Sequence, residues 1–149
     1  FVIADIPGII EGAHEGRGLG DRFMRHIERT SSLLLLLDVS GFSENSPEEE
    51  YKTLIKELGL FSEKMLNKER VVALTKLDTV TEFEELDKLQ QKLESAGESV
   101  FRVSSVSGEG IQKLLNFLAE IVKSGRQNDH QTAGNWNSDS TFTNKIWDE

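Results

Sequence analysis

Arg70-Val71-Val72-Ala73-Leu74-Thr75-Lys76-Leu77-Asp78 is a short apolar run that ends in the polar cluster Thr-Lys-x-Asp. The same form recurs on either side of it. Leu33–Val39 is a second apolar run, Ser99–Val103 leads into Ser104-Ser105-Val106, and Phe1–Asp5 leads into Asp5-Ile6-Pro7-Gly8. Between these runs apolar residues recur at helical spacing. Strands that are apolar throughout and alternate with helices predict an α/β fold, a mostly parallel sheet with helices on both faces.

The intervening helices carry their own punctuation. A glycine-rich loop with Gly8, Gly12, Gly16, Gly18 and Gly20 precedes a helix expected near Asp21–Thr30. The next helix has Ser46 as N-cap, Pro47 at its first position and Glu49 completing a capping box. It presents Tyr51, Leu54, Ile55 and Leu58, with Gly59 placed to end it. A third is expected to take Thr81 as N-cap, with Glu84 three residues on, to bury Leu86, Leu89 and Leu93, and to stop by Gly97. The last carries Ile111, Leu114, Leu115, Leu118, Ile121 and Val122 before Gly125. From Arg126 onward Asn, Asp, Ser and Thr dominate, so the reading is a domain over 1–125 and a polar, disordered tail over 126–149.

The 149 residues suffice for one domain with a real core. A net charge of −9 argues against broad, non-specific nucleic-acid binding, although it leaves room for a local basic patch. With no cysteine, disulfide and thiol chemistry are excluded. The longest aliphatic run, Leu33–Leu37, is far short of the roughly 20 residues that cross a bilayer, so no membrane partner is expected and a cytoplasmic location is the default.

In open parallel sheets ligands sit beyond the carboxyl ends of the strands, which makes Asp5, Thr75–Asp78 and Ser104–Val106 the candidate site. An Asp and a Gly after a strand can hold Mg²⁺ through water and offer a backbone N–H to a phosphate oxygen. The Asp78 carboxylate can accept from N1–H and the exocyclic amine of guanine, a pattern adenine lacks. A neighbouring Lys76 can lay its aliphatic stem against the base, and a Ser-rich loop can give a backbone N–H to guanine O6. Thr-Lys-x-Asp alone is a weak signal; the ordered set of three, each after its own strand, is strong.

That ordered set resembles the later three of the five motifs of the GTPase domain. The stretch Asp5–Arg29, DIPGIIEGAHEGRGLGDRFMRHIER, is similar to that of the Obg family of ribosome-associated GTPases, and the similarity extends to about residue 123. The resemblance implies a partial P-loop NTPase fold that binds GTP or GDP with Mg²⁺ and acts on a ribosomal subunit, through its RNA and proteins. Asp5 would hold Mg²⁺ through water and the Gly8 N–H would sense the γ-phosphate, with Ile6 and Pro7 also GTP-binding. Thr75, Lys76 and Asp78 would select guanine and Ser104 and Ser105 would shape the base pocket, with Leu77 and Val106 completing the GTP-binding loops.

Three positions depart from the commonest pattern. Thr75 stands where Asn is more usual and so lacks the amide that would tie this loop to the phosphate loop. Ser105 replaces Ala, a mild change because its backbone makes the contact. Ile9 stands where many GTPases place a Gln that orients water, so slow intrinsic hydrolysis is expected and no catalytic base is identified. Arg22, Arg25, His26 and Arg29 share one helical face, open between a solvated or packing role and contact with RNA phosphates.

No G-x-x-x-x-G-K-[ST] occurs in residues 1–149. The resemblance places the strand before such a loop at the centre of the sheet, between Phe1–Asp5 and Leu33–Val39. The expectation is a fragment lacking that central strand, with a gap or forced pairing beside Phe1–Asp5, that binds GTP poorly and does not hydrolyse it alone. The alternative is a non-catalytic ribosome- or protein-binding module on a GTPase-like scaffold.

Overall fold

The computed structural model describes residues 1–3, 30–61 and 63–132; side chains of Phe61 and of 126–132 fall outside that description. Three parallel strands form one sheet in the order β1-β2-β3: β1 Ser32–Asp38, β2 Glu69–Thr75 and β3 Ser99–Arg102. The connections are α1 (Pro47–Phe61) with the single turn α2 (Glu63–Leu66), then a 3₁₀ turn (Leu77–Thr79) with α3 (Phe83–Ser95), and finally α4 (Ile111–Thr132). Three of the four expected strands are present, with ends displaced by at most one residue. The α/β architecture with helices on both faces is as expected.

β2 is central. Val71, Val72, Ala73 and Leu74 have no exposed surface, which explains why the sequence there is a continuous apolar run rather than an alternating one. Its two faces feed two cores. On one face Val72 and Leu74 join Leu33, Leu35 and Leu37 of β1 against Leu58 of α1, Met65 of α2, and Leu86 and Leu93 of α3. On the other, Val71 and Ala73 meet Leu114, Leu118 and Ile121 of α4, with Phe101 and Phe117 stacked at 5.0 Å between centroids.

β1 pairs with β2 along one edge from Ser32↔Glu69 to Asp38↔Thr75. Among the described residues nothing pairs with its other edge, and Leu36 on that strand is 60% exposed in spite of being apolar. Phe1, Val2 and Ile3 are exposed and form no strand, so the expected strand over Phe1–Asp5 is not found in its first three residues. Among the described residues these three have no ladder partner to satisfy an extended backbone. Ala4 and Asp5, the glycine loop and the helix expected near Asp21–Thr30 lie outside the described residues, apart from Thr30, which is not helical.

Helix boundaries bring three corrections. The Ser46 capping box forms as expected: the Ser46 N–H and hydroxyl both donate to Glu49 Oε2 (2.9 and 2.8 Å), and the Glu49 N–H donates to Ser46 Oγ (3.3 Å). Gly59, however, does not end α1, which runs on to Phe61; a Cβ there would sit 3.2 Å from Leu66 Cδ1. Gly125 likewise lies inside α4, where a Cβ would meet Ser31 at 3.5 Å, and the helix passes the expected boundary at 125 to reach Thr132. Neither glycine terminates its helix; Gly59 allows the close approach of Leu66, whereas a Cβ at Gly125 would make only an ordinary contact. At α3 the cap position is Glu82, without a side-chain bond, rather than Thr81. The end of α3 is as expected: Gly97 has φ +92°, its N–H donates to Glu94 O, and the Glu98 N–H reaches back to Leu93 O. Residues 133–149 lie outside the described residues.

At the amino ends of the strands a polar cluster joins α1, β2 and the approach to β3. Tyr51 Oη, Arg70 Nε and Arg70 Nη2 all donate to Glu98 Oε1 at 2.8 Å. The Glu98 side chain is buried, so this pairing is what makes its charge tolerable. Burial, and then the Glu98 carboxylate, push the Tyr51 phenol up from 10.0 to about 12. A folded pKa above the unfolded one gives stability that is whole below pH 10 and is lost as pH climbs toward 12. Tyr51 is the chain's single tyrosine, so tyrosinate absorbance reads it alone. We expect a midpoint near 12 in the native protein, returning to about 10 in denaturant; a native midpoint near 10 would contradict the cluster.

Candidate functional site

The carboxyl ends of β1, β2 and β3 meet on one edge of the sheet, and the loops that leave them are fastened to each other. The β2–β3 ladder continues beyond the strands: the Val103 N–H donates to Leu74 O (2.9 Å) and the Leu77 N–H to Val103 O (3.2 Å). Between them Lys76 adopts φ 62°, ψ 37°, and among the described residues no other non-glycine has positive φ. That conformation costs an L-residue about 1 kcal/mol. It turns the chain so that Leu77 drops into the core, 7% exposed, while the 3₁₀ turn carries Asp78 toward the β3 loop. Thr79 supports the turn, its N–H and hydroxyl both donating to Lys76 O at 3.0 and 2.7 Å.

Asp78 meets the other expected cluster directly: the Ser104 hydroxyl donates to Asp78 Oδ1 at 2.5 Å. Ser104 is fully buried and every polar atom it has is used. Its N–H donates to Glu109 O (3.0 Å), its carbonyl accepts from Gly108 (2.9 Å), and its hydroxyl oxygen accepts from Ser107 (3.1 Å). The turn thus held leaves Ser105 and Val106 at its exposed tip, Val106 83% exposed, with neither backbone N–H engaged among the described residues. Two free N–H groups beside a carboxylate are a donor–acceptor edge of the kind a heteroaromatic base can read.

Thr75 places its hydroxyl on Leu37 O at 3.0 Å, so the side chain standing where Asn is usual ties β2 to β1. Asp38, the last residue of β1 and the register partner of Thr75, binds Lys76 Nζ through Oδ2 at 2.5 Å and accepts the Ser40 N–H on Oδ1 at 2.9 Å. Burial raises the Asp38 carboxyl, but the bonds from Lys76 and Ser40 outweigh it and hold the group below its ordinary value. Sequence reasoning took the polar ends of three strands and passed over this one. The signal was present, since Asp38 also closes an apolar run at the same edge.

The structure therefore brings Thr75, Lys76, Leu77, Asp78 and Ser104 together, with Ser105 and Val106 at the rim. Asp5, Ile6, Pro7 and Gly8 lie outside the described residues. Among the described residues no group of three His, Cys, Asp or Glu side chains could hold a metal ion, so no ligand set for Mg²⁺ is found there. Nor is any described helix long and apolar enough to cross a membrane. A cleft of about 620 Å³ opens between the first turns of α1 and α3, lined by Val39, Ser40, Thr79 and Val80. It lies beside the site; Lys76, Asp78 and Ser104 do not line it.

Gly110 fixes the β3 loop. It has φ +73°, and a Cβ there would fall 1.9 Å from Arg102 O, whereas Gly108 at φ +79° has open space. Gly108→Ala should cost about 1 kcal/mol for its backbone conformation alone. Gly110→Ala should cost clearly more, about 3 kcal/mol or above, because backbone has to move. Urea unfolding of the two variants measures the difference, and equal losses would contradict this account of the loop.

Comparison with known proteins places the chain in a family. A family model described as 50S ribosome-binding GTPase matches residues 1–76, and one described as ethanolamine utilisation - propanediol utilisation matches 49–120. The chain is 49% identical over 122 residues to GTPase Obg of Thermodesulfovibrio yellowstonii, covering 82% of this chain and 36% of that protein. It is 45% identical over 123 residues to GTPase Obg of Alkaliphilus metalliredigens, covering 83% and 29%. The chain thus spans about a third of the length of these curated relatives. A solved Plasmodium falciparum chain described as nucleolar GTP-binding protein 1 superposes with a TM-score of 0.52 at 19% identity, covering 87% of this chain and 68% of that one, a likeness of fold. The chain belongs to the family of 50S ribosome-binding GTPases and is a homologue of the Obg GTPases over part of their G domain.

Proposed function

We propose that this chain is the guanine-selecting part of an Obg-type GTPase, and that the whole protein binds GTP, hydrolyses it to GDP and phosphate, and serves ribosome assembly in the cytoplasm. The observation that carries the reading is the Ser104–Asp78 hydrogen bond. It joins the β2 and β3 loops into one edge, with a carboxylate to accept from guanine N1–H and the exocyclic amine, and the Ser105 and Val106 amides free to donate to O6. Lys76 supplies an apolar stem beside that edge. The names of the curated relatives support the activity, and the name of the matched family supports a ribosomal partner.

Selectivity follows from what the wrong base leaves unmade. Adenine offers no N–H pair to Asp78 and presents a donor where O6 would accept, so partners that the bound base takes out of water go unpaired. Hydrolysis belongs to the longer protein. By resemblance Asp5 would hold Mg²⁺ and the Gly8 N–H would meet the γ-phosphate, where the metal would supply charge neutralisation. Ile9 cannot hydrogen-bond to water, so the intrinsic rate is slow and a partner accelerates it. This chain by itself binds nucleotide weakly, because phosphate contacts dominate affinity in such sites.

Asp78→Asn exchanges an acceptor for a donor, which suits the C2 carbonyl of xanthine rather than the 2-amino group of guanine. In the full-length protein GTP binding should weaken about ten- to hundredfold, with xanthosine triphosphate gaining. Competition against a fluorescent nucleotide measures both, and unchanged guanine preference would refute the base assignment. Phosphate release on addition of ribosomal subunits separates the enzyme from a non-catalytic module, which would release none.

A further inference from the structure

Lys76 does not extend freely into solvent. Its ammonium crosses from the β2 loop to the end of β1 and binds Asp38 Oδ2, although the lysine side chain is 55% exposed and has water to choose instead. Asp38 is a fixed post. Its other oxygen holds the Ser40 N–H, the Val39 N–H donates to Thr75 O at 3.2 Å, and Thr75 Oγ1 returns a bond to Leu37 O. The carboxylate at the end of β1 is thereby locked to the strand from which Lys76 departs. At the other end of the stem, the left-handed backbone of Lys76 fixes where the side chain begins.

A four-carbon chain pinned at both ends cannot sample most of its rotamers. If that stem is a wall for the base, its ordering entropy is spent in folding and is not charged again on binding. We propose that Asp38 is a positioning residue for base binding: it holds the Lys76 ammonium so that the aliphatic stem is already laid out as a platform beside Asp78. This rests on the reading of Thr75–Asp78 and Ser104–Val106 as a base site, and adds to it a residue outside those clusters.

A platform contact is blind to the groups on the base edge, whereas Asp78 reads them. The two roles therefore separate by ligand. Binding of a fluorescent GDP analogue to the full-length protein, with GDP and inosine diphosphate as competitors, provides the test. Asp38→Asn keeps size and removes the charge, and it should weaken both competitors by the same factor, about three- to fivefold, the scale of a partly exposed ion pair. Asp38→Glu, which can still reach the ammonium, should recover most of the loss. In a Lys76→Met background, which keeps an unbranched stem without charge, Asp38→Asn should change nothing further.

Wild-type affinity in Asp38→Asn would overturn the proposal. So would an undiminished effect of Asp38→Asn in the Lys76→Met background, since Asp38 would then act on the fold rather than through Lys76. Failure of the underlying site looks different. If Asp78→Asn leaves guanine over hypoxanthine discrimination intact, or if the wild-type protein binds no guanine nucleotide, the base reading falls and this inference falls with it.

Discussion

The complete burial of Val71–Leu74 is the constraint on which the rest of the molecule depends. A strand with no exposed surface needs neighbours on both edges and helices on both faces, and the chain supplies β1, β3, α1, α3 and α4 around it. Parallel pairing then has a chemical consequence. All three strands finish on the same side, so Asp38, Thr75–Asp78 and Ser104–Val106, distant in sequence, emerge together. The core creates the site's geometry by fixing register, and the side chains at the edge only finish it.

Those finishing contacts are polar and short-ranged, in contrast to the cores beneath. Ser104 spends its N–H, its carbonyl and its hydroxyl within the β3 loop and on Asp78. Lys76 accepts a left-handed backbone and leans on Asp38. A buried polar atom without a partner costs more than a bond gains, so each of these groups narrows the conformations open to the others. What remains unspent is the Ser105 and Val106 amides and part of the Asp78 carboxylate, which is the combination a guanine edge would use.

Much of this was legible in the residues. Continuous apolar runs marked both β1 and β2; in β2 the run reflects cover on both faces, whereas in β1 it leaves Leu36 exposed. The Ser46–Glu49 box marked the start of α1 because its bonds are local. What was not legible depends on partners far away in sequence. Gly59 and Gly125 read as helix ends, but both lie inside their helices, and at Gly59 the missing Cβ makes room for Leu66. Thr81 read as a cap, yet the helix starts at Phe83 with Glu82 at the cap position and no side-chain bond. Asp38 went unread because its meaning lies in its register partner. The geometry brings the loops after β2 and β3 together; that they face a base, like the phosphate-facing role of Asp5–Gly8, is a proposal by resemblance.

The central claim is that the loops after β2 and β3 form one guanine-reading edge. A ¹⁵N-resolved NMR titration of the protein with GDP and, separately, ADP, each carried to millimolar concentration, tests it most directly. The account predicts that the Ser105 and Val106 amide resonances move with GDP and stay in place with ADP. Equal movement with both nucleotides, or GDP shifts that bypass these two amides, would contradict it.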